Sequence, residues 1–299
     1  VRADGIDLGA MAVRERSPLP YLWMLLGSFL FAVMSTLAHD LGPRCDWRIT
    51  ALARSGLALV FAAALARGAG ARLVFPGPPT LWVRSLAGSL SIACTFYAQS
   101  LMPAPEVLTI TNTFPVWIAL LSWPLLRERP PAAVWLSVCT GVLGVCLIQN
   151  PHLQGGVGAI CLAVVASVST AVAMIGLHRL RQLHPLAIVV HFSAVAVLVC
   201  LGMLFLGPGA PDWPRAGRPE VFLRLLGVGL AATGGQWFLT RAFAAGSPAR
   251  VGLVGLTQIV FAIGLDVAVE GRSLGAGTLV GIGLVMAPTA WVMAGRDPA

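Results

Sequence analysis

No lysine occurs anywhere in the 299 residues, and charge of either sign is scarce. Arginine supplies all 20 basic residues, aspartate and glutamate together number 12, and charged residues make up only 11% of the chain. A water-soluble domain carries about 25%. With 57% hydrophobic residues and a mean hydropathy of +0.84, there is too little polar surface to cover a soluble globule. Soluble enzymes, disordered chains and extracellular scaffolds are excluded together, and the solvent must be lipid.

Paired cysteines are missing as well. Cys45, Cys94, Cys139, Cys146, Cys161 and Cys200 form no C-x-x-C pair, and five of the six fall inside apolar runs. Neither a disulfide framework nor a zinc site follows from them, and no cofactor is expected. The row also contains no H-E-x-x-H pair, Walker A loop or facing carboxylates at one depth. An intramembrane enzyme is thereby disfavoured, and ATP-driven transport by this chain alone is excluded.

Long apolar runs are what the chain does have, at about 21–39, 49–66, 82–102, 106–126, 131–149, 156–177, 185–206, 221–243, 249–269 and 274–294. Each matches the roughly 20 residues of a spanning helix. Barrel strands would be about half that length and would alternate strictly. The expectation is therefore an all-α integral membrane protein of ten transmembrane helices. Residues 1–20 form an N-terminal cytoplasmic segment, 21–150 a first five-helix repeat and 151–299 a second. The first run reads as a retained helix rather than a signal peptide, because it ends at His39-Asp40 without a small-x-small site and many spans follow.

Orientation follows from the arginines. With the N-terminus inside, thirteen of them fall on the cytoplasmic side, among them Arg2, Arg14, Arg16, Arg84, Arg127, Arg179, Arg241 and Arg296. Six fall outside, namely Arg44, Arg48, Arg215, Arg218, Arg224 and Arg272, with Arg54 left in the second span. This bias places both termini in the cytoplasm of a bacterial cell, in the inner membrane. The arginines sit at helix ends rather than on one basic face, so nucleic acid is not an expected partner.

The two halves echo each other. Phe31-Ala32-x-x-Ser35-Thr36 corresponds to Val165-Ala166-x-x-Ser169-Thr170, Arg54-Ser55 to His191-Phe192, and Leu126-Arg127-Glu128-Arg129 to Val269-Glu270-Gly271-Arg272. Five spans is an odd number, so a second copy must insert upside down. That makes a 5+5 inverted-topology repeat, the arrangement that supports alternating access.

Ten helices in two repeats, an acid after span four, Pro115 within that span and the turn Met102-Pro103-Ala104-Pro105 resemble the drug/metabolite transporter superfamily, EamA type, along the whole chain. Within it the chain is most similar to bacterial aromatic amino-acid exporters of the YddG type. The resemblance implies a central cavity lined by helices one, three, four, six, eight and nine.

The polar residues at mid-span depth concentrate on those helices. Span three carries Ser91, Thr95 and Gln99 on one helical stripe, with Tyr97 off it. Span four carries Asn112, Trp117 and the kink-capable Pro115, span six Ser169, span eight Gln236 and Trp237, and span nine Gln258. Hydroxyls in membrane helices commonly bond their own backbone, whereas buried amides need several partners, so Gln99, Asn112, Gln236 and Gln258 are the better candidates. Trp117 and Trp237 lie deeper than tryptophans usually do; Trp47, Trp82, Trp135 and Trp213 suit the interfaces. The titratable His39, Glu106 and Asp266 fall at outer span ends and are the candidates for proton coupling or gating, and Arg54 and His191 read as shallow.

The function expected is secondary export of small metabolites, amino acids and especially aromatic or apolar ones first. Drug-like cations or other metabolites are the alternative. A channel would need polarity through the full thickness, and here it peaks at mid-span. Small-residue faces at Gly141-x-x-Gly144 and Gly275 to Gly283 suggest packing within one subunit ahead of a homodimer.

Overall fold

A computed structural model describes residues 18–294 apart from 43, 151–155, 207–212, 214–216 and 272. The expected N-terminal segment and Arg2, Arg14, Arg16, Arg215, Arg272 and Arg296 thus lie outside the described residues.

The described chain is helical: α1 (Leu19–Leu41), α2 (Trp47–Gly68), α3 (Pro79–Gln99), α4 (Ala104–Thr111), α5 (Phe114–Leu126), α6 (Ala132–Gln149), α7 (Val157–Arg179), α8 (Pro185–Leu206), α9 (Pro219–Ala245), α10 (Pro248–Gly255), α11 (Thr257–Glu270) and α12 (Ala276–Met293). Prolines open many of them, where the fixed φ suits a first turn and the missing N–H is not needed. Asp46 caps α2, accepting from the Arg48 N–H at 2.8 Å. Arg127 after α5 and Gly271 after α11 both turn left-handed (φ 59° and 67°), ending equivalent helices in the same way.

Two spans are broken, in corresponding places. α4 and α5 part at Asn112-Thr113, and α10 and α11 part at Leu256; each pair still makes one membrane crossing. Pro115 lacks an N–H to continue the ladder to the Thr111 carbonyl, and side chains add hydrogen bonds around the break. Asn112 Nδ2 donates to the Leu108 carbonyl at 2.7 Å and Thr113 Oγ1 to that of Ile110 at 2.7 Å. The second break forms without proline, Thr257 Oγ1 donating to the Val254 carbonyl at 2.7 Å. Each break is also bonded from the first helix of the other half: Ser167 of α7 reaches the Thr111 carbonyl at 3.2 Å, and Ser28 of α1 the Gly255 carbonyl at 3.4 Å.

Among the described residues nine crossings are long and apolar enough to span a membrane; α3 has the length, 21 residues, but is less apolar. It begins at Pro79 rather than Trp82, nearly a turn earlier than the apolar run indicates. Arg84, counted above on the cytoplasmic side, stands five residues into this helix and is buried.

Packing is most extensive between α1 and α9, α3 and α7, α2 and α8, and α6 and α12. Exchanging the halves turns the first pair into the second and leaves the other two unchanged. In the last pair Gly144 and Gly281 meet backbone to backbone, a Cβ on either falling 2.7 Å from the other's carbonyl oxygen. Lipid offers no hydrophobic drive between helices, so close packing of this kind holds them. Outward faces carry leucine, valine and phenylalanine, including Leu26, Val60, Leu90, Leu143, Leu198 and Phe222, as a lipid-facing surface requires.

Candidate functional site: a central cavity with an arginine floor

A cavity of about 570 Å³ lies between the two halves. One end of the bundle is its mouth. His39 and Gly42 at the end of α1, Trp47 at the start of α2, and Phe96 and Gln99 at the end of α3 line it there, with the Trp47 and Phe96 rings stacked at 6.2 Å. Ser91, Thr95 and Gln99 all face in, as their i, i+4, i+8 spacing on α3 dictates, and Ser91 is bonded across to Thr170 of α7 at 2.6 Å.

The floor lies about 22 Å further along α3, fifteen residues at 1.5 Å each. Arg84 occupies it, 1% exposed. Its Nη2 donates to Gln236 Oε1 of α9 at 3.2 Å, and its guanidinium lies 4.1 Å over the Phe192 ring of α8. Its Nε and Nη1 are buried without a hydrogen-bond partner. Arg54 of α2 faces the same space, its Nε 3.2 Å from the Met34 sulfur, and shares with Gln236 a second, water-sized void of about 10 Å³. No aspartate or glutamate occurs among the described residues that line the cavity.

Beneath the floor three rings cluster. His191, fully buried, pairs its Nδ1 with Ser85 Oγ at 2.8 Å; the Phe75 ring stacks on it at 4.6 Å and the edge of Trp82 meets it at 4.6 Å.

Gln99, Asn112, Gln236 and Gln258 line the cavity. Four other candidates stand apart from it. Tyr97 points outward at 48% exposure, Ser169 is buried beside the lining residue Thr170, Trp117 packs on the main core, and Trp237 packs with Leu186, Val189 and Val190 and against Phe238. The Tyr97 and Trp237 positions follow the helix phase, since each sits next to a residue that faces in. Of the coupling candidates, His39 lines the mouth, while Glu106 is buried in the first turn of α4, Asp266 is half-buried on α11, and Pro115 is buried against Gly252 of α10. Helices two and seven, left out of the expected lining, contribute Arg54, Trp47 and Phe192. Of the two residues read as shallow, Arg54 lines the cavity and His191 is buried beneath its floor.

Arg84 was not among the expected site residues. A signal for it exists in the row: Pro79 and Pro219 open equivalent helices, and each is followed five residues later by arginine, Arg84 and Arg224. Among the described residues no three of His, Cys, Asp and Glu come together as a metal site, and the six cysteines are unpaired.

A multi-crossing helical bundle with one large cavity between two similar halves, lined by apolar rings and a few polar side chains, is a membrane transporter of small molecules. The chain belongs to the EamA-like transporter family, whose sequence model matches it twice, at residues 18–149 and 157–294. It is similar to the pseudopaline exporter CntI of Pseudomonas aeruginosa (strain UCBPP-PA14), 31% identical over 247 residues, covering 81% of this chain and 84% of that one. It is also similar to solute carrier family 35 member G1 of Homo sapiens, 26% identical over 275 residues (83% and 72%), and to the riboflavin transporter of Vibrio cholerae, 23% identical over 244 residues (78% and 79%). A solved crystal structure superposes with a TM-score of 0.76 at 20% identity, covering 91% of this chain and 96% of its own. At that identity the likeness concerns the fold alone. The protein is a multi-pass membrane transporter and not an enzyme.

Proposed function

We propose that the protein is a secondary transporter that exports small polar metabolites, amino acids and related compounds first, across the bacterial inner membrane by alternating access. One observation carries the reading: the cavity lies between halves whose packing pairs interchange, and the Phe75–His191–Trp82 cluster stands beneath its arginine floor. Such a bundle has a second arrangement of nearly equal energy, in which mouth and floor trade ends. Five crossings per half support inverted topology, and the arginine distribution supports cytoplasmic termini. Pro115, at the broken fourth span, is the gating candidate.

Small metabolites as a class are supported by relatives named for pseudopaline and riboflavin. For this chain, four amides supply hydrogen bonds, and Phe31, Phe96, Phe114 and Phe192 supply an apolar wall. Both suit an amino acid with an aromatic or apolar side chain, and about 570 Å³ accommodates one. Export of aromatic amino acids in the manner of YddG-type carriers is the specific form of this reading. A cationic drug is disfavoured, since it would meet two arginines and no carboxylate among the described lining residues.

The test is uptake of labelled amino acids, one at a time, into liposomes holding the purified protein, with and without a pH gradient. Saturable uptake of tryptophan or phenylalanine establishes the amino-acid form. Uptake of other small metabolites alone moves the substrate and leaves the transport reading. Rates unchanged by the gradient remove proton coupling through His39, Glu106 or Asp266.

A further inference from the structure

We infer that Arg84, with Arg54 and Gln236, forms an oxyanion-binding site at the floor of the central cavity, and that the transported metabolite is a small organic anion held there through a carboxylate or phosphate group. This rests on the transport reading and, among small metabolites, selects anions over the zwitterionic aromatic amino acids.

The first support is the state of Arg84 itself. A charged side chain inside a membrane bundle is costly and is normally paired. Arg84 is 1% exposed, its one hydrogen bond goes to a neutral amide, and Nε and Nη1 have no partner. Nε–H and Nη1–H lie on opposite edges of the planar guanidinium, each beside one of the two Nη2 hydrogens; Gln236 takes one of these, and the other edge is left to take two carboxylate or phosphate oxygens at once. Space is reserved for the guanidinium as well: a Cβ on Gly88 would come within 2.6 Å of Nη1.

The second support is independent and comes from comparing the halves. Arg224 holds the same place in α9 that Arg84 holds in α3, five residues after the opening proline. Arg224 is neutralised, its Nε donating to Asp40 of α1 at 2.6 Å. Arg84 packs against α7, the first helix of the second half, and there it meets Gly176, whose Cβ would lie 3.0 Å from that of Arg84. One arginine of the pair has its carboxylate built in and the other does not. Arg54 adds a second positive charge to the same space, so the floor favours an anion over a zwitterion.

The experiment measures binding to the purified full-length protein at constant ionic strength, by melting temperature and tryptophan fluorescence. Citrate, L-glutamate and inorganic phosphate are the anionic probes, and L-glutamine is the neutral isostere of glutamate. At least one anion is expected to bind the wild type more tightly than glutamine does. That affinity should fall at least tenfold in Arg84→Gln and stay within twofold in Arg224→Gln. Because Arg84→Gln alters a fully buried side chain and so also tests folding, Gln236→Glu is the second variant. It keeps the arginine but places a carboxylate where Oε1 now accepts, so it should melt higher than wild type without ligand and bind the anion at least tenfold more weakly. An Arg84 that served only packing would leave anion affinity unchanged in Gln236→Glu. The response to citrate and glutamate against that to phosphate separates a carboxylate from a phosphate ligand. No anion binding beyond glutamine in the wild type, or equal binding in Gln236→Glu, overturns the site. Arg84-dependent binding without flux into liposomes supports the site while the transport reading fails; flux of neutral amino acids with no anion binding does the reverse.

Discussion

Arg84 Nη2 and Gln236 Oε1, 3.2 Å apart, join the third crossing of the first half to the third crossing of the second, directly beneath the cavity. The contact ties the substrate space to the helices that must move against each other for mouth and floor to exchange. A ligand that engages Arg84 therefore acts on the interface itself, which is how binding energy biases a two-state carrier.

Gln236→Ala removes the one acceptor of a buried guanidinium as well as a cavity amide. A hydrogen bond to a charged group is worth about 1.5–3 kcal/mol, so apparent substrate affinity should fall by roughly ten- to a hundredfold while the protein stays folded. Initial uptake rates against substrate concentration check this.

Trp237→Ala should act differently although its neighbour lines the cavity. Trp237 packs among Leu186, Val189 and Val190, so the expected result is a stability loss of about 1–2 kcal/mol with transport near the wild-type rate. Thermal melting in detergent, read beside liposome uptake, separates the two effects.

At the α6–α12 contact, Gly144→Val should be strongly destabilising, because its first side-chain atom would fall 2.7 Å from the Gly281 carbonyl oxygen. Overpacking of this kind costs about 1–3 kcal/mol. Gly283→Ala, with nothing within 4 Å of the new atom, is the matched control and should melt like the wild type.

The cap of α2 carries a pH dependence. The hydrogen bond from Arg48 holds the Asp46 carboxyl below its ordinary value of 3.8. A lowered folded-state value means that the stabilisation is complete above the ordinary carboxylate range and is lost as pH falls through the folded value. Asp46→Ala should cost about 1 kcal/mol at neutral pH, and that difference should shrink on acidification below pH 4. Asp46→Asn, which keeps a capping oxygen, should cost less.

The helices were legible because lipid leaves few options: an apolar run near 20 residues must be helical, and Pro115 marked where the fourth span can kink. The break at Leu256 carries no proline and was not read from the sequence. Amides at mid-span depth led to Gln99, Asn112, Gln236 and Gln258 because an amide in hydrocarbon needs partners. Aromatic size led astray at Tyr97 and Trp237, which stand at the same offset from Pro79 and Pro219 and turn away on the helix phase. Arg84 was passed over because it stands near the start of its run and was counted among arginines at helix ends, whereas it is buried against α7. A hydropathy pattern cannot tell an arginine at a membrane surface from one buried against a partner helix.

The central claim is alternating access through this cavity, and counterflow tests it most directly. Liposomes holding the protein are loaded with an unlabelled substrate identified by uptake, and entry of the same compound in labelled form is timed from outside. Alternating access predicts a saturable rate that rises with internal loading, because the carrier returns occupied. A rate that grows linearly with concentration and ignores the internal load would contradict it and indicate a continuous pore.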